Sequence, residues 1–209
     1  MKYITLFLIL LFCSTSSSIS QEYIFFFHNR YLQEFGLESM HPEYGKVEYE
    51  EIVGAFRKQN FIVFNEVRKK GSSGDEYAQK AKHQIDSLLS KGVKPEQITV
   101  IGTSMGGYIA QTVSAQLKNK NIKYVFIGCC SDDDHLNPNS ALIYGRILSI
   151  HEKSDVLGKS CIKVIEKSSK TVVKFKEIEL STGLNHGFLF KALPEWIEPC
   201  IKWAKGIEK

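Results

Sequence analysis

Six short apolar runs, separated by stretches that are apolar on one side only, constrain this chain more than any other feature of it. The runs are Tyr23–Phe27, Phe61–Phe64, Ile98–Ile101, Tyr124–Ile127, Ile147–Ile150 and Val172–Leu180. All but the last are continuous rather than alternating, as strands are when both of their faces are buried. Between them, Tyr49, Ile52, Val53 and Phe56 fall on one helical face, and Tyr77, Ala81, Ile85, Leu88 and Leu89 do the same before Gly92, a natural helix stop. A further helix is expected after Ser104, reaching Leu117. The last helix carries Trp196, Ile197, Cys200 and Trp203 on one stripe, with Pro194 near its start and Pro199 placed to bend it. This pattern predicts an α/β three-layer sandwich, a mostly parallel sheet of about six strands flanked by helices. Two connections, His28 to Lys46 and Cys129 to Gly145, read as long and irregular, and such loops are usually functional or mobile.

The first twenty residues read as an address. Lys2 precedes the apolar run Tyr3–Phe12, which is shorter than the ~20 residues a bilayer requires. A small-residue stretch ends Ser18-Ile19-Ser20, so a signal peptide over 1–20 is expected, with the working domain at 21–209. Export to a periplasm or the exterior follows, with no stable membrane insertion once the signal is removed. Lipoprotein processing at Cys13 is disfavoured by the bulky Phe12 before it, and a retained N-terminal anchor is the lesser alternative. The absence of an Asn-x-Ser/Thr sequon after residue 20 leans towards a bacterial envelope.

The remaining chain is long enough for one domain with a proper core. Its 43% hydrophobic and 24% charged residues are ordinary for a globular protein, and a net charge of +4 is too mild and scattered to suggest nucleic acid. Cys129, Cys130, Cys161 and Cys200 remain after export, and Cys161 with Cys200 is the first pairing to expect, since adjacent Cys129 and Cys130 would strain a bridge; buried free thiols are the alternative. No zinc spacing, dinucleotide fingerprint or P-loop occurs. The run Asp132-Asp133-Asp134-His135 reads as solvated acids rather than a metal site, so neither metal nor cofactor is expected.

The segment Gly102-Thr103-Ser104-Met105-Gly106-Gly107 follows the run Ile98–Ile101 and precedes the expected helix. A serine hydroxyl is a weak nucleophile unless a base takes its proton and donors await the oxyanion. The G-x-S-x-G turn between strand and helix is one way to present such a serine, with flanking glycines relieving the crowded backbone. Partners in this arrangement follow in the order acid, then histidine. Asp155 stands in the loop after Ile147–Ile150, and His186 lies between Asn185 and Gly187 before the last helix. Ser104, Asp155 and His186 are therefore the candidate catalytic set, with Asp132, Asp133 and Asp134 as rival acids and Glu152 too near its strand end to turn back. The backbone N–H of Met105, with one from the loop after the first strand, would form the oxyanion hole.

Through Phe27-His28-Asn29-Arg30, Gly102 to Gly107, Asp155 and His186, the chain resembles the α/β-hydrolase family from Tyr23 to its end. The resemblance implies a trimmed sheet in which Tyr23–Phe27 matches the relatives' third strand and lies beside Ile98–Ile101. It also implies Arg30 as the second oxyanion donor, with Asn29 standing where relatives usually have Gly. Fewer than twenty residues separate the strands that relatives part with a cap domain, so no cap is expected. His28, Asn29 and Tyr31, with Phe35, His41 and Tyr44 further along, are expected to wall the substrate site. The function so implied is hydrolysis of a small-molecule carboxylic ester or thioester of short acyl chain through an acyl-serine intermediate. A peptidase or amidase with the same residues, or a silent binding module on a hydrolase scaffold, are the alternatives.

Overall fold

The structure of the protein, a computed structural model, describes residues 21–134 and 141–207; the expected leader over 1–20, with Cys13, and the loop residue His135 lie outside the described residues. Six strands, β1 (Glu22–Phe27), β4 (Phe61–Asn65), β5 (Ile98–Thr103), β6 (Lys123–Ile127), β7 (Gly145–Glu152) and β8 (Val172–Leu180), form one sheet in the order β4-β1-β5-β6-β7-β8. Every pairing in it is parallel. The sheet is the one the apolar runs predict, with β1 and β5 as neighbours inside it.

Alternation along each strand sends successive side chains to opposite faces. Ile24 and Phe26 of β1 pack towards α2 (Tyr49–Arg57) and α6 (Pro194–Lys205), together with Phe56, Trp196 and Trp203. Phe25 and Phe27 pack the other way, towards α3 (Gly74–Ser90), α4 (Met105–Leu117) and α5 (Ile162–Lys167). Both faces are covered, which is why both parities of each central strand are apolar. Helix α6 runs through Pro199 without interruption. Among the described residues, no helix is long and apolar enough to cross a membrane.

The register brings the strand ends that matter into line. Phe27 pairs with Gly102, Thr103 with Ile127, and Ile127 with Ile150. The loops leaving β1, β5, β6, β7 and β8 therefore emerge along one edge of the sheet, which is where parallel α/β proteins place their sites. The opposite edge receives the helix C-termini. Lys58, Lys91 and Lys118 cap α2, α3 and α4 there, and Lys167 and Lys205 lie in the last turns of α5 and α6. Cations at those positions complement the negative end of each helix dipole.

Two expectations are corrected. The stretch from His28 to Lys46 is not an irregular loop: it holds the short helix α1 (Arg30–Phe35) and a small hairpin of β2 (Met40–His41) and β3 (Gly45–Lys46). The disulfide joins Cys130 to Cys161, not Cys161 to Cys200. Cys200 sits on α6 in one core layer and Cys161 in the other, so the sheet stands between them. Cys130 instead lies beside the loop of Lys159, whose backbone pairs with its own, at 5.2 Å between the Cys130 and Cys161 Cα atoms. Cys129 and Cys200 are buried free thiols.

Candidate active site

Strand β5 ends at Thr103, and α4 starts at Met105, leaving Ser104 alone to reverse the chain. It does so at φ 51°, ψ −120°, a conformation costly for a residue with a side chain and held here by its surroundings. The glycines explain how the turn fits. A Cβ on Gly102 would meet the backbone of Gly106, and one on Gly106 would meet the carbonyls of Phe27 and His28. A Cβ on Gly107 would strike the Cys129 side chain. The N-terminus of α4 is thus pressed against the ends of β1 and β6, which only glycine allows.

Ser104, His186 and Asp155, brought from three separate loops, form one hydrogen-bonded chain. His186 Nε2 lies 3.0 Å from Ser104 Oγ, and His186 Nδ1 lies 2.6 Å from Asp155 Oδ2. Asp155 is fully shielded, its side chain 0% exposed. Burial alone would raise its pKa. The hydrogen bond from His186, the backbone N–H of Leu157 at 2.8 Å and the N–H of Gly158 outweigh that, holding the carboxyl below the usual carboxylate range. An ionised Asp155 only accepts, so Nδ1 carries the ring proton, and Nε2 is left to accept from the serine hydroxyl. Of the rival acids, Asp134 accepts from Ser131 and from the Tyr108 hydroxyl, and Asp132 sits at the surface 4.0 Å from Lys163. Neither they nor Asp133 is hydrogen-bonded to His186.

The two expected oxyanion donors share a feature the sequence did not reveal. Asn29 is the N-cap of α1 and Ser104 that of α4, so Arg30 and Met105 are both first residues of helices. A first-turn N–H has no acceptor within its own helix. The Asn29 side chain accepts from Leu32 N, which fixes the start of α1 where relatives use a glycine turn. Arg30, Met105 and Ser104 all line one cleft of about 380 Å³.

Of the residues expected to wall a substrate site, Asn29 and Tyr31 line that cleft and His28 does not. His28 is 1% exposed; its Nδ1–H donates to Asn29 O at 2.7 Å and its Nε2 accepts from Arg68 N at 2.8 Å. Burial, then the nearby Arg68 charge, push its pKa down to about 3. Its ring is a neutral pin between two backbones. Arg68, buried beside it, donates to the carbonyls of His28 and Asn29 and so anchors the end of β1. The rest of the cleft wall is largely aromatic. His41 stacks on Tyr44 at 4.4 Å, and Tyr31 and Tyr44 meet Phe190 at 5.2 and 5.3 Å. Tyr108, Cys129, Leu157 and Phe190 are cleft residues that no sequence motif marks. Cys129, Cys130 and Cys161 place their sulfurs within 4.8 Å of one another, but the bridge takes two of the three.

No family model matches the sequence, and no curated protein matches it. Solved structures do share its fold. An esterase from Pyrococcus furiosus superposes with a TM-score of 0.62 at 17% identity, over 90% of this chain and 82% of that one. A protein of unknown function from Agrobacterium tumefaciens, grouped with the alpha/beta hydrolases, gives 0.56 at 18% identity, over 89% and 85%. SOBER1 from Arabidopsis thaliana gives 0.51 at 17% identity, over 87% of this chain and all of that one.

Proposed function

We propose that this chain, which has the α/β-hydrolase fold, is a serine hydrolase of short-acyl carboxylic esters or thioesters. The observation that carries the reading is the unbroken hydrogen-bonded run from Ser104 through His186 to Asp155, opening into a cleft. In this reading Ser104 Oγ attacks the carbonyl carbon while His186 Nε2 takes its proton. Asp155 holds the imidazole in the required tautomer and balances the imidazolium. The oxyanion is received by the N–H groups of Met105 and Arg30. His186 then returns the proton to the leaving alcohol or thiol, and a water repeats the sequence to release the acid and free Ser104.

Short acyl chains follow from the stretch 128–144 between β6 and β7, too short for a helical cap over the cleft. Each methylene contributes about 0.8 kcal/mol only where something covers it. The esterase among the structural neighbours accords with an ester substrate. Peptidase action by the same residues and silent binding are tested by the same experiment. A fluorophosphonate probe should label wild-type protein at Ser104, and a series of p-nitrophenyl esters should be cleaved fastest from acetyl to butyryl. Ser104→Ala should lose about 10⁴- to 10⁶-fold in turnover and all labelling. An unlabelled wild-type protein would mean a binding module, and a preference for an aminoacyl anilide would mean a peptidase.

A further inference from the structure

Glu152 ends β7 with its side chain inside the protein, 1% exposed. A buried carboxylate is costly unless its oxygens are hydrogen-bonded. Here both are, by donors from two different loops. Oε1 accepts from Ser154 N at 3.2 Å, Ser154 Oγ at 3.0 Å and Gly183 N at 3.4 Å. Oε2 accepts from Thr182 N and Thr182 Oγ1, both at 2.8 Å. The bonds from Ser154 and Thr182 outweigh the effect of burial, so Glu152 titrates below the usual range and stays ionised.

The two hydroxyls extend the reach of the carboxylate. Ser154 Oγ accepts in turn from Asn185 N at 3.1 Å, and Thr182 Oγ1 from Leu184 N at 3.3 Å. Asn185 sits at φ 50° and is followed directly by His186, so the segment that aims the imidazole is fixed on its N-terminal side by this network. On the other side, Asp155 N donates to the carbonyl of Glu152 itself at 3.0 Å. One residue therefore binds the loop carrying Asp155 to the loop carrying His186.

We infer that Glu152 is a positioning residue for the proposed hydrolysis: its carboxylate straps the acid loop to the histidine loop and sets the geometry of the Asp155–His186 pair. This inference rests on the hydrolase reading above. Charge-assisted hydrogen bonds are directional, and the two from Thr182 to Oε2 are short at 2.8 Å, which suits a strap that must hold two loops to a fraction of an ångström. A misplacement of about 1 Å in a catalytic group costs on the order of 100-fold in rate. The amide of Glu152→Gln keeps the volume but turns an NH₂ towards donors, so some of the strap bonds are lost without leaving a cavity.

The test is turnover per competent site. Fluorophosphonate titration counts the sites in wild type, Glu152→Gln and Ser154→Ala, and kcat and KM for p-nitrophenyl acetate are measured on each. Glu152→Gln should lose about 10- to 100-fold in kcat per titrated site with KM within about twofold. Ser154→Ala, which severs only the branch to Asn185, should lose less. A second readout does not use turnover: the proton between His186 Nδ1 and Asp155, followed by NMR, should shift or broaden in Glu152→Gln. Unchanged kcat per site and an unchanged proton signal in Glu152→Gln would make Glu152 a stabiliser of the fold alone and overturn the inference. A wild-type protein that takes no probe while this signal still moves would sink the hydrolase reading and leave the strap standing.

Discussion

Asp155 spends one carboxylate oxygen on His186 and the other on the N–H of Leu157, and no solvent reaches either. Asp155→Asn should therefore cost several orders of magnitude in turnover, because an amide favours the wrong imidazole tautomer. Asn at Asp132, Asp133 or Asp134 should stay within about tenfold of wild type on the same short ester. A dead variant among those three, beside an active Asp155→Asn, would move the acid to the loop after β6. His28 gives a prediction in stability instead. Its folded pKa of about 3 lies below the ~6.5 of an unfolded histidine, so between those values the unfolded chain binds the proton and the folded chain does not. Stability is full above about pH 6.5 and falls as pH drops, by about 2 kcal/mol at pH 5 from this group alone. Urea titrations at pH 7 and 5 should show a smaller pH dependence in His28→Gln than in wild type; equal slopes would remove His28 from the acid sensitivity. At this scale the sequence was legible where spacing along the chain decides the matter. Ser104, Asp155 and His186 each follow a strand end in a fixed order. Glu152 was not legible, since its role depends on hydroxyls and N–H groups about thirty residues downstream. His28 was misplaced for a similar reason: its partner Arg68 is forty residues away.

The strands were the easiest elements to read, because continuous apolar runs have few other uses in a chain of this size. The segment after β1 was harder. Helix α1 has six residues, too few for a period to show, and its start depends on the single side-chain cap from Asn29. The two-residue strands β2 and β3 carry no pattern of their own, yet they set the stacked His41 and Tyr44 against Phe190 in the cleft wall. The disulfide belongs to this scale as well. It closes a loop of 31 residues and ties the turn after β6 to the start of α5, just beyond the loop that holds Asp155. Loop-closure entropy for that length is about 3–4 kcal/mol. Replacing Cys130 and Cys161 together by Ser should lower Tm by roughly 10 °C, and a reductant should do the same to the wild-type protein while leaving the variant unmoved. An unchanged Tm in both would show that the bridge adds nothing. The sequence allowed several pairings; the sheet between Cys161 and Cys200 rules that pair out, and the backbone pairing of Cys130 with Lys159 brings Cys130 beside Cys161.

In the whole molecule, every strand of the main sheet runs the same way, so the two ends of the protein differ in chemistry. One end carries the cleft, with Ser104, His186 and the aromatic wall. The other carries Lys58, Lys91, Lys118, Lys167 and Lys205, at the closing ends of helices α2 to α6. What serves the helix dipoles also gives the protein a handle. Laid on an anionic bead, the molecule should settle on its lysine end and present the cleft to the liquid. Turnover per immobilised molecule should then stay near its value in free solution, whereas attachment through a cysteine placed at Tyr108 beside the cleft should abolish most of it. Equal losses by both routes would mean that the lysines do not decide which way up the protein lies.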